Sequence, residues 1–311
     1  MAELLFLKPV FKQTVWGGNR MRKDFAYYLP GENTGECWGV SAHPDGDCRI
    51  QSGTFRGKKL SELWREERQL FGNLDMEEFP ILVKIIDAQD KLSIQVHPGN
   101  DYARKNENGA KGKEECWYIL DCPQEAALVI GHQARSKEQL KRLIEAGEWE
   151  KLIRRVPIKK GDFIQINAGT MHAITAHVML LETQQNSNLT YRIYDYGRKS
   201  RGKARKLHIE KGLEVMNVPE SPIEGSIVHT QEFPENRLNQ LILTEHYQVW
   251  EVKVSGEFTF ARNVPFLVMT VVSGRGFLNG VFIRKGRHFI LPWGFGRVKM
   301  CGAMQIIVST V

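Results

Sequence analysis

One spacing occurs twice in this chain and limits what it can fold into. Gly161 is followed by five residues, then Asn167-Ala168-Gly169, two more residues and His172. Gly286 is followed by five residues, then Pro292-Trp293-Gly294, two more and Arg297. Each copy reads as a turn, a short strand and a second turn, because glycine and proline punctuate a run long enough for one strand only. The repeat predicts an internal duplication of a small β unit, and a mainly β chain built from two such units.

The rest of the sequence supplies strands to match. Residues 80–87 form a buried-strand pattern, and 92–97 alternate. Residues 116–120, 127–131, 163–166 and 177–182 are short and apolar, and residues 247–254 and 266–272 continue the series after residue 235. Many short strands with Gly and Pro turns read as a sandwich or barrel. Helices interrupt them. Apolar residues at helical spacing predict one helix over 60–71. Ser136-Lys137-Glu138-Gln139 predicts a capped start for another running toward Leu152, with Gly147 able to split it in two. A third, short helix is expected near 207–216. A loop-rich connector over 218–234 separates a first unit, 1–235, from a second, 236–311.

Composition sets broad limits. No apolar run nears the ~20 residues that span a bilayer, and the N-terminus lacks the basic region and cleavage site of a secretory signal. A cytoplasmic chain with no membrane partner is expected. Five cysteines without a C-x-x-C pair argue against a disulfide framework or a thiolate zinc site. Cys116 is expected to pack in a strand beside the site. The net charge of +7 allows nucleic acid, membrane or a small anion as partner. No nucleic-acid motif accompanies it, so none is expected to bind. The densest basic run, 198–206, reads either as a solvated loop or as the rim of an anion-binding mouth.

Chemistry concentrates around three segments. In Ser93-Ile94-Gln95-Val96-His97-Pro98, Gln95 and His97 are two apart, so on a strand they share a face. His172 closes the first repeat. Between them lie Glu114 and Glu115, of which a strand can turn only one inward. Two histidines, a carboxylate and an amide make a nitrogen- and oxygen-rich set suited to zinc, iron, manganese or cobalt. Among the other histidines, His43 is a lesser candidate; His132, His177, His208, His229, His246 and His288 read as structural or exposed.

These residues carry a resemblance. The first repeat is similar to the second motif of the cupin superfamily, G-x5-P-x-G-x2-H. The Gln95-x-His97-Pro98 pair, the Lys113-x-Glu115 segment and the Glu182…Arg192 segment resemble, more narrowly, type I mannose-6-phosphate isomerases of the short bacterial form. The likeness runs from Trp16-Gly17-Gly18 at least to Arg198. It implies a double cupin, two jelly-roll barrels with a few inserted helices, in which 1–235 is catalytic and 236–311 lacks metal. It implies one zinc per chain on Gln95, His97, Glu115 and His172, and favours Glu115 over Glu114.

The resemblance also implies roles. Lys113 matches a candidate proton carrier, Glu182 a pocket carboxylate, Arg192 the active-site arginine and Lys84 a pocket lysine, with Trp38 as a pocket wall. The reaction implied is interconversion of mannose 6-phosphate and fructose 6-phosphate through a cis-enediol, in a monomer or weak homodimer. Two positions depart from the longer family members. Gly112 stands where they have His, and Asn188 where they have Asp; both family residues were linked to ring opening. The rival readings are an iron-dependent cupin dioxygenase, against which Gln95 argues, and a non-catalytic sugar-binding cupin, against which Lys113, Glu182 and Arg192 argue together.

Overall fold

The computed structural model describes residues 3–200 and 202–311. The first unit is two facing antiparallel sheets. One has seven strands, in the order Ile227–His229, Asp162–Ile166, Glu115–Asp121, Met179–Gln185, Ile81–Asp87, Thr34–Val40 and Val10–Gln13. The other has five, in the order Tyr191–Tyr194, Ile94–Val96, His172–Ala173, Ala127–His132 and Ile153–Pro157. Ile81–Asp87 is buried at every position because both faces of its sheet are covered, which is why the segment reads as an unbroken apolar run.

Strand 115–121 makes the division of labour visible. Trp117 and Ile119 pack between the two sheets with Leu128, Ile130 and Leu180. Cys116 and Tyr118 point the other way, into a core shared with Val249, Val268, Ile290 and Ile307 of the second unit. Cys116 is thus beside the site in sequence but faces away from it. Glu115, two residues before Trp117, falls on the inner face by the same alternation.

Helices cover the outer face of the five-stranded sheet. Ser136 Oγ accepts from Gln139 N at 3.2 Å and starts the helix Lys137–Glu145. Gly147, with φ +65°, separates it from Trp149–Leu152, as its position in the sequence suggested. Leu140, Leu143, Ile144 and Leu152 pack on Val129, Ala173 and Ile193. The first predicted helix is Leu60–Glu66 followed by a single tight turn, Arg68–Phe71, and the third is Ile209–Val215. Two short helices, Arg20–Asp24 and Asn100–Asn106, were not anticipated.

The second unit differs from the expected clean cut at residue 235. Its sheet runs Leu238–Leu243, Gln248–Phe260, Val298–Thr310, Leu267–Leu278, His288–Leu291, and then takes in Leu5–Lys8 and Arg49–Ile50. Leu5 pairs with Ile290 and Phe6 with Phe289. The strand Leu5–Lys8 therefore belongs to the second unit's sheet although it precedes the first unit in sequence. A pairing between segments so far apart leaves no local trace in the sequence.

This sheet has its own core, including Trp250, Met269, Phe289, Met300 and Ile306, drawn almost wholly from its own strands. Burying such a core requires the sheet to fold back on itself. Three long strands align glycines at one row, where Gly302 pairs with Gly256 on one side and Gly276 on the other. A Cβ on Gly302 would lie 2.6 Å from the Gly276 Cα. No helix among the described residues is long and apolar enough to cross a membrane. All five cysteines are free thiols.

Candidate active site

The donor set comes from both sheets. On the five-stranded sheet Gln95 pairs with His172 on one side and with Arg192 on the other, and His97 follows two residues later. On the seven-stranded sheet Glu115 pairs with Gln184, and Glu182 sits between Lys84 and Trp117. His97 Nδ1 donates to the Leu189 carbonyl at 2.8 Å and His172 Nδ1 to the Thr170 carbonyl at 2.9 Å. A carbonyl only accepts, so each Nδ1 carries the hydrogen and each Nε2 presents a lone pair.

Those lone pairs face a carboxylate. His97 Nε2 is 3.5 Å from Glu115 Oε2, and His172 Nε2 is 3.4 Å from Glu115 Oε1. Glu115 is fully buried and its Oε1 has no hydrogen-bond partner. Acceptors turned on one another in a dry site repel unless a cation lies between them. His97, Glu115 and His172 form the one group of three such residues, among those described, with ligand atoms all within 4.8 Å. Burial first, then Lys113, pushes the His97 pKa well below the usual imidazole value; burial and then His97 do the same for His172. Neutral imidazole is the form that binds metal. Gln95 meets the group with its amide Nε2, 3.2 Å from His172 Nε2. A ligand role requires the amide to turn its oxygen inward.

Two lysines and a second carboxylate adjoin this cluster. Lys113 Nζ lies 3.1 Å from His97 Nε2, contacts Glu115 Oε2, and is 3.8 Å from Glu182 Oε1. Burial brings its pKa down to about 7, against the pull of Glu182 and with the help of Lys84. Lys84 Nζ pairs with Glu182 Oε1 at 3.2 Å, and Trp117 Nε1 donates to Glu182 Oε2 at 3.2 Å. Burial would raise the Glu182 carboxyl, but Lys113 and Lys84 outweigh it and hold it at about 2. Burial would lower Lys84, but Glu182 and then Glu36 raise it. A cavity of about 690 Å³ opens over these groups.

Comparison with known proteins agrees with this arrangement. The family model "Phosphomannose isomerase type I, catalytic domain" matches residues 4–118, and "Mannose-6-phosphate isomerase, cupin domain" matches residues 237–311. Mannose-6-phosphate isomerase ManA of Bacillus subtilis (strain 168) is 45% identical over 312 residues, covering 99% of this chain and 98% of its own. The chain belongs to the mannose-6-phosphate isomerase family. A crystal structure of the mannose 6-phosphate isomerase from Bacillus subtilis superposes with a TM-score of 0.94 at 41% identity, covering 100% of both chains. A mannose 6-phosphate isomerase bound with zinc and yttrium shares the fold, with a TM-score of 0.77 at 15% identity and 99% of each chain covered.

Within this family fold, most of the residues singled out in sequence come together. Gln95, Lys84, Lys113, Glu182 and Arg192 line the cavity, and His97, Glu115 and His172 lie just behind its floor. Glu114 turns away, its backbone N–H donating to Gln185 Oε1. Trp38 needs correcting. It is not part of the cavity wall; it is buried, with the Lys84 ammonium 5.2 Å from its ring and its Nε1 donating to Glu36 Oε2 at 2.6 Å. Glu36, two residues earlier, reaches the cavity instead. His43 packs edge-on against Trp38 and does not line the cavity.

The mouth draws on the basic run 198–206 and on His208, which the sequence placed as structural or exposed. Ser93, Thr190, Ser200, Arg205 and His208 line it beside Arg192. Arg192 Nη1 donates to the Lys206 carbonyl at 3.1 Å, while its Nε is buried without a partner. Arg198 and Arg205 are both tied to the Asp195 carboxylate. Of the two readings of the basic run 198–206, the rim of a mouth fits Ser200 and Arg205. His208 gave no signal because it lies outside every motif; its ring nitrogen accepts from the Arg192 N–H at 3.2 Å.

Proposed function

We propose that this family member interconverts mannose 6-phosphate and fructose 6-phosphate, using one zinc ion per chain held by His97, Glu115, His172 and a turned Gln95. The observation that carries the reading is the convergence of two imidazole nitrogens and a buried carboxylate, whose Oε1 has no hydrogen-bond partner, on one point directly beside Lys113. Two neutral imidazoles, a carboxylate and an amide suit zinc among the borderline divalent ions. When bound, the ion supplies Lewis-acid polarisation of the sugar oxygens at C1 and C2.

The remaining work falls to side chains. An aldose–ketose isomerisation moves one proton from C2 to C1 and one hydroxyl hydrogen from O2 to O1. Lys113 is the proton carrier between the carbons: its neutral amine accepts from C2 and its ammonium returns the proton to C1. Glu182 stays ionised and holds Lys113 and Lys84 in register. Lys84 contributes fixed positive charge where the enediolate forms. Arg192 and Arg205, with Ser200, hold the anionic phosphate at the mouth.

Ring opening has a constraint of its own in this chain. A Cβ on Gly112 would lie 2.5 Å from Asn100 N and from Gly99 C, so the segment 98–100 fills the space a histidine would need. Asn188 donates to Asp45 Oδ2 at 2.9 Å and has no acidic proton to give. Ring opening therefore proceeds without a side chain at 112.

The test is a coupled assay of zinc-loaded protein with each sugar phosphate. Turnover in both directions is expected. Binding of either sugar phosphate without turnover would replace this reading with a sugar-binding module.

A further inference from the structure

A second cavity, of about 580 Å³, lies where the strand Leu5–Lys8 meets Arg49–Ile50 and the turn before His288–Leu291. It shares no lining residue with the catalytic cavity. Lys8, Arg49, Arg56 and Arg287 line it, and no carboxylate does. None of the four makes an ion pair with any described residue, whereas the chain forms such pairs widely elsewhere. Arg49 donates to the Gly57 carbonyl at 2.7 Å and Arg287 to Gln51 Oε1 at 3.3 Å, so two of the cations are held in place by neutral partners. The acids nearest along the chain lie outside the lining and are engaged elsewhere, Asp47 with Ser61 and Glu3 with the Thr54 N–H.

Four like charges around one concavity repel each other and raise the local concentration of anions. Arginines of this kind match phosphate oxygens in pairs. The cavity also has an aromatic wall. The Arg287 guanidinium stands 5.8 Å from the Phe6 ring centre, and Phe282 is 49% exposed beside it. An exposed phenylalanine in a basic cavity offers a stacking surface to a flat ring.

We propose that this cavity binds an organic polyphosphate carrying a planar ring, of which a nucleoside diphosphate is the simplest example. The cations take the phosphates and Phe282 takes the ring. The proposal is independent of the isomerase reading, because no residue is common to the two cavities.

Isothermal titration of the full chain with ADP, with pyrophosphate and with adenosine tests it. ADP is expected to bind at one per chain, more tightly than pyrophosphate, with an affinity that falls as salt rises. The double variant Arg56→Glu/Arg287→Glu should weaken ADP about tenfold or more, since it reverses two charge-assisted contacts. Phe282→Ala should weaken ADP about fivefold and leave pyrophosphate unchanged, as loss of one stacking face does. Both variants should keep wild-type isomerase turnover and thermal midpoint, which separates lost binding from lost fold. Arg192→Ala should bind ADP as the wild type does. No ADP binding at millimolar concentration overturns the proposal. So does binding that survives Arg56→Glu/Arg287→Glu but is lost in Arg192→Ala, because ADP would then occupy the catalytic cavity. Equal affinity for ADP and pyrophosphate overturns the assignment of a ring.

Discussion

In the first unit the turn at Asn167–Gly169 leads His172 into a buried cluster; in the second the matching turn at Pro292–Gly294 leads Arg297 into solvent. The backbones of the two copies agree closely. Gly161 and Gly286 have φ of +87° and +85°, and Gly169 and Gly294 have +83° and +70°. A left-handed φ at both ends of a short strand is what glycine permits cheaply. The surroundings do not agree. Polar and charged groups line the first unit's cavity, while the one beside the second turn is walled by Phe266, Leu291, Trp293 and Phe295. The turn is common to both units, while the buried His97, Glu115 and His172 cluster lies in the first alone among the described residues.

That contrast can be broken at several points. The largest effect should come from Glu115→Ala, which removes the one charged donor of the cluster. We expect kcat/KM to fall about 10³-fold or more, the scale of a lost Lewis acid. Turnover near the wild-type level would mean that the buried cluster is structural. Arg192→Ala should cost about 10²-fold in kcat/KM, the loss of one charge-assisted partner in a shielded site. Lys113→Ala should lower kcat with KM little changed; an effect on KM alone would make Lys113 a binding residue and bring Glu182 forward as the base.

Smaller effects should follow in the second unit. Gly302→Ala inserts a Cβ against the Gly276 backbone at a position with φ +136°. A stability loss of about 1–3 kcal/mol is expected by chemical denaturation, with kcat unchanged. An unaltered midpoint would mean that the close approach of these strands does not require glycine at 302. Arg297→Ala should change neither activity nor stability beyond about 0.5 kcal/mol, as for an exposed side chain. A loss of activity there would make the second turn functional after all.

Much of the site was legible because its signals are local. Gln95 and His97 announce a shared face by being two apart, and the glycine spacing announces the turn before His172. Choosing Glu115 over Glu114 rests on the resemblance, because the run 116–120 is apolar in both phases. What was not legible depends on distant pairing. The strand Leu5–Lys8 belongs to a sheet whose other strands lie more than 230 residues later, apart from Arg49–Ile50. Trp38 and Glu36 sit on the same strand and face, and only the placement of Lys84 over the indole decides which of them meets the cavity. Arg205 and His208 reach the mouth through a loop organised by Asp195, a residue no motif contains.

The central claim is that one buried cluster, in the first unit only, holds a single metal ion. Metal analysis of the purified chain after zinc loading and removal of free ion tests it most directly. The account predicts one zinc per chain in the wild type, one in Arg297→Ala, and none retained in His172→Ala. Two per chain in the wild type, or one retained in His172→Ala, would contradict it.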